Sequence, residues 1–185
     1  MEKTKKRAEL PLRDMTCTAL FTALIAVCSQ ISIPTPVPFT LQTLAIFIAG
    51  GLLGRKRATL SVAVYILLGV VGIPVFSGFS GGLKALFGVT GGYIIGFLFT
   101  AYAVGFICEK FGRKLWVLAV SMSVGLAGCY LFGTVWFMVV YAQKAEPISF
   151  MTALGICVVP YLLFDAVKIA CASLLVNRLY KVIKL

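Results

Sequence analysis

Long apolar runs, separated by short gaps that carry most of the charge, restrict this chain to a membrane-embedded helical fold. They extend over about Met15–Ile33, Leu41–Leu53, Ala58–Ile73, Tyr93–Cys108, Leu115–Ala142 and Phe150–Val176. A hydrocarbon core of about 30 Å takes roughly 20 apolar residues per helical crossing, so 185 residues with short connections suit six of them. A transmembrane β-barrel would need short stretches of alternating polarity instead of unbroken runs. The hydrophobic share is 61% and the charged share only 12%, far from the roughly 45–50% and 25% of soluble domains. The expected architecture is an all-α membrane protein, a compact bundle of six transmembrane helices forming one domain over residues 1–185, with 1–14 as a basic tail.

The net charge of +11 reads as membrane topology and not as a nucleic-acid surface, because the cations sit in the gaps between runs. Lys3, Lys5, Lys6, Arg7 and Arg13 precede the first run. Arg55, Lys56 and Arg57 follow the second, Lys110, Arg113 and Lys114 the fourth, and Arg178, Lys181 and Lys184 close the chain. Of the 17 lysines and arginines only Lys84, Lys144 and Lys168 lie elsewhere. Cytoplasmic segments hold such an excess, so both termini are expected in the cytoplasm of a multi-pass protein of the cytoplasmic membrane.

The intervening segments are uneven. "IPTPVPF" ends the first run, since its prolines forbid helix continuation. The second run is short for a crossing and stops at Gly54-Arg55-Lys56-Arg57. The stretch Val75–Gly92 has no clear helical pattern and is rich in glycine, which suits a loop that folds tightly over something. With the proline turn, it brings Phe39, Phe76 and Phe79 to the same face of the membrane, where they form a candidate aromatic lid. Gly78 within this loop and Tyr93 just after it are further candidates for the ligand site.

Asp165 and Lys168 are the most informative residues. They lie within the last apolar run at i and i+3, so one turn of helix presents a carboxylate and an ammonium in the same direction. A lone charge at membrane depth costs several kcal/mol or more, about, on the less forgiving scales, so each needs a partner, water or ligand. One reading is a pair that only glues the bundle. The other is a pocket in which Asp165 accepts from N–H groups and Lys168 donates to a carbonyl or carboxylate. Pro160, one turn earlier, is expected to kink the helix and widen that space.

Small residues four apart, Ala19 and Ala23, Gly92 and Gly96, and Ser121, Gly125, Cys129 and Gly133, permit close helix contacts. The six cysteines are scattered singly, there is no histidine, and no metal site or catalytic set emerges. The chain has no nucleotide-binding motif of its own. It is expected to be no enzyme and to hold neither metal nor cofactor.

The segments "IPVFSGFSGG", "GVTGGYIIGF", "PVPFTLQTLAIFIAGGLLG" and "FDAVKIA" together resemble the BioY family, the biotin-binding S components of energy-coupling-factor (ECF) vitamin transporters. The resemblance runs from about Thr16 to Tyr180. It implies capture of biotin from outside by a six-helix membrane protein working with a transmembrane coupling subunit and two cytoplasmic ATPases, which alone use ATP. It implies biotin contacts at Asp165 and Lys168, and contact between the coupling subunit and Ala19 and Ala23. Where the family commonly has Gly-Pro-Thr-Gly-Gly, this chain has Gly88-Val89-Thr90-Gly91-Gly92. The competing expectation is a self-sufficient secondary transporter for a small anion, with Asp165 as its proton site.

Overall fold

The computed structural model describes residues 2–33, 35, 37–143 and 148–182, with side chains from Leu12 onward. The side chains of Lys3, Lys5, Lys6 and Arg7, and the residues Pro34, Pro36, Lys144 and Lys184, lie outside the described residues. Helix α1 spans Glu2–Gln30, so the backbone of the expected tail is already helical. A two-residue ribbon follows, β1 (Ser32–Ile33) against β2 (Phe39–Thr40), antiparallel with Ser32 opposite Thr40. It is the one departure from an all-helical architecture that the proline turn introduces.

Helix α2, Gln42–Val70, is broken at Gly54, whose φ of 78° and ψ of 177° are not helical. The chain reverses there: Gln42, at one end of the first half, faces the same cavity as Tyr65 in the second half. The left-handed φ favours glycine. The stop expected from Gly54-Arg55-Lys56-Arg57 is thus a hairpin within one helical element. At about 1.5 Å per residue the half from Gln42 to Leu53 is only about 18 Å long, which accords with its short apolar run.

The glycine-rich stretch is more ordered than its composition suggests. Phe76 and Ser80 form an isolated antiparallel bridge around a turn at Ser77–Phe79, and the one-turn helix α3 (Leu83–Leu86) follows. Helix α4 (Gly91–Phe111) and helix α5 (Leu115–Ala142) come next. The last apolar run is divided into α6 (Phe150–Cys157), a 3-10 turn at Val159–Tyr161 containing Pro160, and α7 (Leu162–Val182). Proline cannot donate to the preceding turn, and the helix breaks where the sequence predicts a kink.

Among the described residues, four segments are long and apolar enough to cross a membrane: Leu12–Gln30, Gly91–Phe111, Leu115–Ala142 and Phe150–Val182. Helix α2 carries Arg55, Lys56 and Arg57 in its middle, at the hairpin tip. The small-residue pattern operates as internal packing. A β-carbon at Gly96 would lie 2.9 Å from Cys129 Sγ, and one at Gly125 would lie 3.1 Å from the Thr100 methyl. The Thr100 hydroxyl donates to the Gly125 carbonyl at 3.0 Å across the same α4–α5 seam. Ala19 and Ala23 are both exposed on α1. Among the described residues all six cysteines are free thiols.

Candidate functional site

Asp165 and Lys168 project from the start of α7 into the bundle, 4% and 6% exposed, with Lys168 Nζ 2.8 Å from Asp165 Oδ1. The i, i+3 spacing supplies that contact within one turn. The break at Pro160 sets where α7 begins, and therefore where the pair lies against the other helices.

Lys168 also donates to the Thr40 carbonyl at 2.7 Å and to Thr43 Oγ1 at 3.1 Å, and its ammonium lies 3.9 Å from the centroid of the Phe39 ring. An ammonium has three protons, and all three are engaged. Asp165 differs. Its Oδ1 accepts from Lys168 and its Oδ2 from the Tyr130 hydroxyl of α5. A carboxylate offers about four accepting directions, so capacity remains. The ammonium stabilises the carboxylate in this low-dielectric setting, and the backbone carbonyl and aromatic face stabilise the ammonium.

A chamber of about 60 Å³ adjoins the pair, walled by Phe39, Tyr93, Phe97, Tyr130, Tyr161 and Cys157 among others. Beside it lies a cavity of about 410 Å³ under the glycine-rich loop, bordered by Gln42, Tyr65, Phe76, Lys84, Thr90 and Tyr93. The two share Val37, Pro38, Thr40, Tyr93 and Phe97. The inner chamber alone is far below the roughly 300–1,000 Å³ of a small-molecule site, whereas the two joined fall inside that range.

The aromatic residues separate into distinct roles. Phe39 stacks on Tyr161, centroids 5.9 Å apart, and tilts against Phe164 at 5.0 Å. The Tyr161 hydroxyl reaches Thr35 Oγ1 at 2.9 Å, tying the proline turn to the α6–α7 break. Phe76 is buried, meets Tyr65 edge-on with centroids 5.5 Å apart, and packs over Gly69. It forms a fixed wall of the loop-side cavity. Phe79 is 73% exposed, and neither it nor Gly78 borders either space. Both occupy left-handed backbone, with φ 54° and 70°. Tyr93 borders both spaces, and its hydroxyl pairs with Thr134 Oγ1 at 3.2 Å.

Several residues that the sequence did not single out complete the arrangement. Tyr130, Thr40 and Thr43 bond the charged pair. Gln42 is buried on the wall of the loop-side cavity, beside Tyr65. Ser29 and Gln30 at the end of α1 hold the glycine-rich loop: Ser29 Oγ donates to the Val75 carbonyl at 2.5 Å, Gln30 Nε2 to the Phe76 carbonyl at 3.2 Å, and Gln30 Oε1 accepts from the Phe79 amide at 3.0 Å. A polar residue at the last turn of an apolar helix is a signal for such a cap, although its partner is 45 or more residues distant. Among the described residues no cluster of histidine, cysteine or carboxylates is arranged to hold a metal.

Comparison with known proteins gives this geometry a family. The family model described as "BioY family" matches residues 1–185. A biotin transporter BioY of Thermotoga maritima is 40% identical over 171 residues, 92% of this chain and 97% of that protein. A probable biotin transporter BioY of Pyrococcus horikoshii is 39% identical over 168 residues, 90% of this chain and 96% of that protein. Among solved structures, the S-component for biotin from an ECF-type ABC transporter superposes with a TM-score of 0.85 at 30% identity, over 94% of this chain and 93% of that one. With a full-length family match, near-full-length relatives and a shared architecture, this multi-pass membrane protein belongs to the BioY family.

Proposed function

We propose that the chain captures biotin for uptake as the S component of an ECF-type transporter, without catalysing a reaction itself. The observation that carries this reading is a buried carboxylate with unused accepting directions at the closed end of an aromatic-walled cavity. Biotin's ureido ring offers two N–H donors and a carbonyl, its sulfur ring and chain are apolar, and its tail ends in a carboxylate. In this pose Asp165 receives the ureido N–H groups. Lys168 is saturated, and it reaches the ligand by releasing Thr43, its longest bond. The Gln42 amide, on the wall of the loop-side cavity, donates to a ligand oxygen, and Lys84 at its border attracts the anionic tail. Phe39, Phe76 and Tyr93 supply apolar walls, while Gly78 and Phe79 act through the conformation of the loop above.

In the membrane, the proposed arrangement has six crossings, the halves of α2 providing two, and both termini in the cytoplasm. Asp14 of α1, the hairpin tip and Tyr180 of α7 border one common cavity, which supports a reading with both termini on one side of the membrane. Ala19 and Ala23, exposed one turn apart, form the proposed contact with the transmembrane coupling subunit. Two ATPase subunits supply the energy, and the chain needs no cofactor.

Titrating the purified protein in detergent with biotin, by calorimetry, is expected to give saturable one-site binding, with thiamine as a control that gives none. Absence of biotin binding would overturn the reading. Uptake by cells containing this chain alone is expected to be weak and insensitive to collapse of the pH gradient. Gradient-dependent uptake would favour the self-sufficient carrier with Asp165 as proton site. Tyr130→Phe removes the hydroxyl that fixes Asp165 Oδ2. Hydrogen bonds to charged groups contribute about 1.5–3 kcal/mol, so affinity should fall about tenfold or more in the same titration.

A further inference from the structure

The end of the bundle remote from Asp165 holds another cavity, of about 380 Å³, bordered by Arg55, Lys56, Arg57 and Arg113 against Asp14 and Glu109. Both carboxylates are already engaged. Arg57 Nη2 lies 2.7 Å from Asp14 Oδ1, and Arg55 Nε lies 3.2 Å from Glu109 Oε2 while the Arg55 amide donates to Glu109 Oε1 at 2.9 Å. Lys56 and Arg113 pair with no carboxylate among the described residues, which leaves the cavity with a surplus of positive charge.

Arg113 is held in place from several sides. Its Nε donates to the Gly51 carbonyl at 2.6 Å, its guanidinium lies 4.0 Å from the centroid of the Tyr180 ring, and its own carbonyl accepts from Asn177 Nδ2 at 2.9 Å. Among the described residues, one of the five guanidinium protons is consumed. A fixed guanidinium with free donors is suited to the oxygens of a phosphate.

The cavity does not end in solvent alone. A groove of about 430 Å³ shares Asp14, Lys56 and Arg57 with it and continues between Met15 and Ala19 of α1 and Leu60 and Val64 of α2. Positions 57, 60 and 64 follow one face of the helix, so the groove leads from the charged end toward the middle of the bundle. A basic chamber opening into an apolar groove on a membrane protein has the two-part chemistry of a lipid.

We propose that this double cavity binds an anionic phospholipid, its phosphate among Lys56, Arg57 and Arg113 and an acyl chain along the groove past Ala19 and Val64. Because Ala19 belongs to the surface proposed for the coupling subunit, the tail occupies that groove in the free subunit. The test is native mass spectrometry of the full chain in detergent with added dioleoyl phosphatidylglycerol or dioleoyl phosphatidylcholine, and with inorganic phosphate as competitor. Phosphatidylglycerol should be retained about tenfold better than phosphatidylcholine, and Lys56→Gln should reduce that retention about fivefold, the contribution of one cation near an anionic headgroup. Lys56→Gln with Arg113→Gln should abolish the preference, and unchanged biotin binding certifies that each variant is folded. Equal retention of the two lipids, or retention indifferent to Lys56→Gln, overturns the proposal. Displacement of the lipid by millimolar inorganic phosphate would assign the chamber to free phosphate and overturn it as well.

Discussion

Asparagine in place of Asp165 should weaken biotin binding about a hundredfold or more, because truncating one member of a buried hydrogen-bonded charge pair costs about 2–5 kcal/mol. The amide keeps the shape of the side chain but halves its acceptors and turns its NH2 group toward either Tyr130 or Lys168, each of which is itself a donor. Two effects then add: the ureido N–H groups lose their charged acceptor, and Lys168 becomes an uncompensated cation beside the ligand. The fold itself should survive. Lys168 retains the Thr40 carbonyl, Thr43 and the Phe39 ring, so the thermal midpoint in detergent should move far less than the affinity. Undiminished affinity, with a large loss of stability instead, would show that the pair serves only to hold α7 against α2.

The second large effect is on stability. A β-carbon at Gly105 would overlap the backbone nitrogen and Cα of Arg55, where α4 runs against the α2 hairpin tip. Backbone cannot rotate aside as a side chain can, and overpacking of this kind costs about 1–3 kcal/mol. Gly105→Ala should therefore lower the thermal midpoint by about 5–10 °C, on the scale of roughly 2–4 °C per kcal/mol for a chain of this size. Gly155 of α6 supplies the control: nothing lies within 4 Å of a β-carbon placed there, and alanine is the better helix former. Gly155→Ala should leave the midpoint unchanged or slightly raised. Equal melting of the two variants would refute the close approach of α4 to the hairpin.

What the sequence makes legible and what it hides divide along a physical line. Properties set within one stretch of chain are readable: the apolar lengths, the stop at Gly54 before three cations, the break at Pro160, and the shared direction of Asp165 and Lys168. Properties set by which stretches meet are not. Tyr130 lies 35 residues from Asp165, and Thr40 lies 128 residues from Lys168. One tyrosine among seven carries no local mark of such a partnership. Likewise, Gly105 looks like any glycine in an apolar helix until the hairpin tip is placed against it. The hairpin of Phe76 and Ser80 was hidden for another reason, because glycine permits many turns and specifies none of them. Phe79 illustrates the converse, an aromatic residue whose composition suggests a lid but whose left-handed backbone leaves it outside both spaces.

The grip of Ser29 and Gln30 on the backbone at Val75, Phe76 and Phe79 makes α1 and the roof of the cavity a single mechanical part. Ala23 and Gln30 are seven residues apart on one uninterrupted rod, about 10 Å at helical rise. A force that tilts the rod near Ala19 and Ala23 is thus delivered to the roof without any intervening joint.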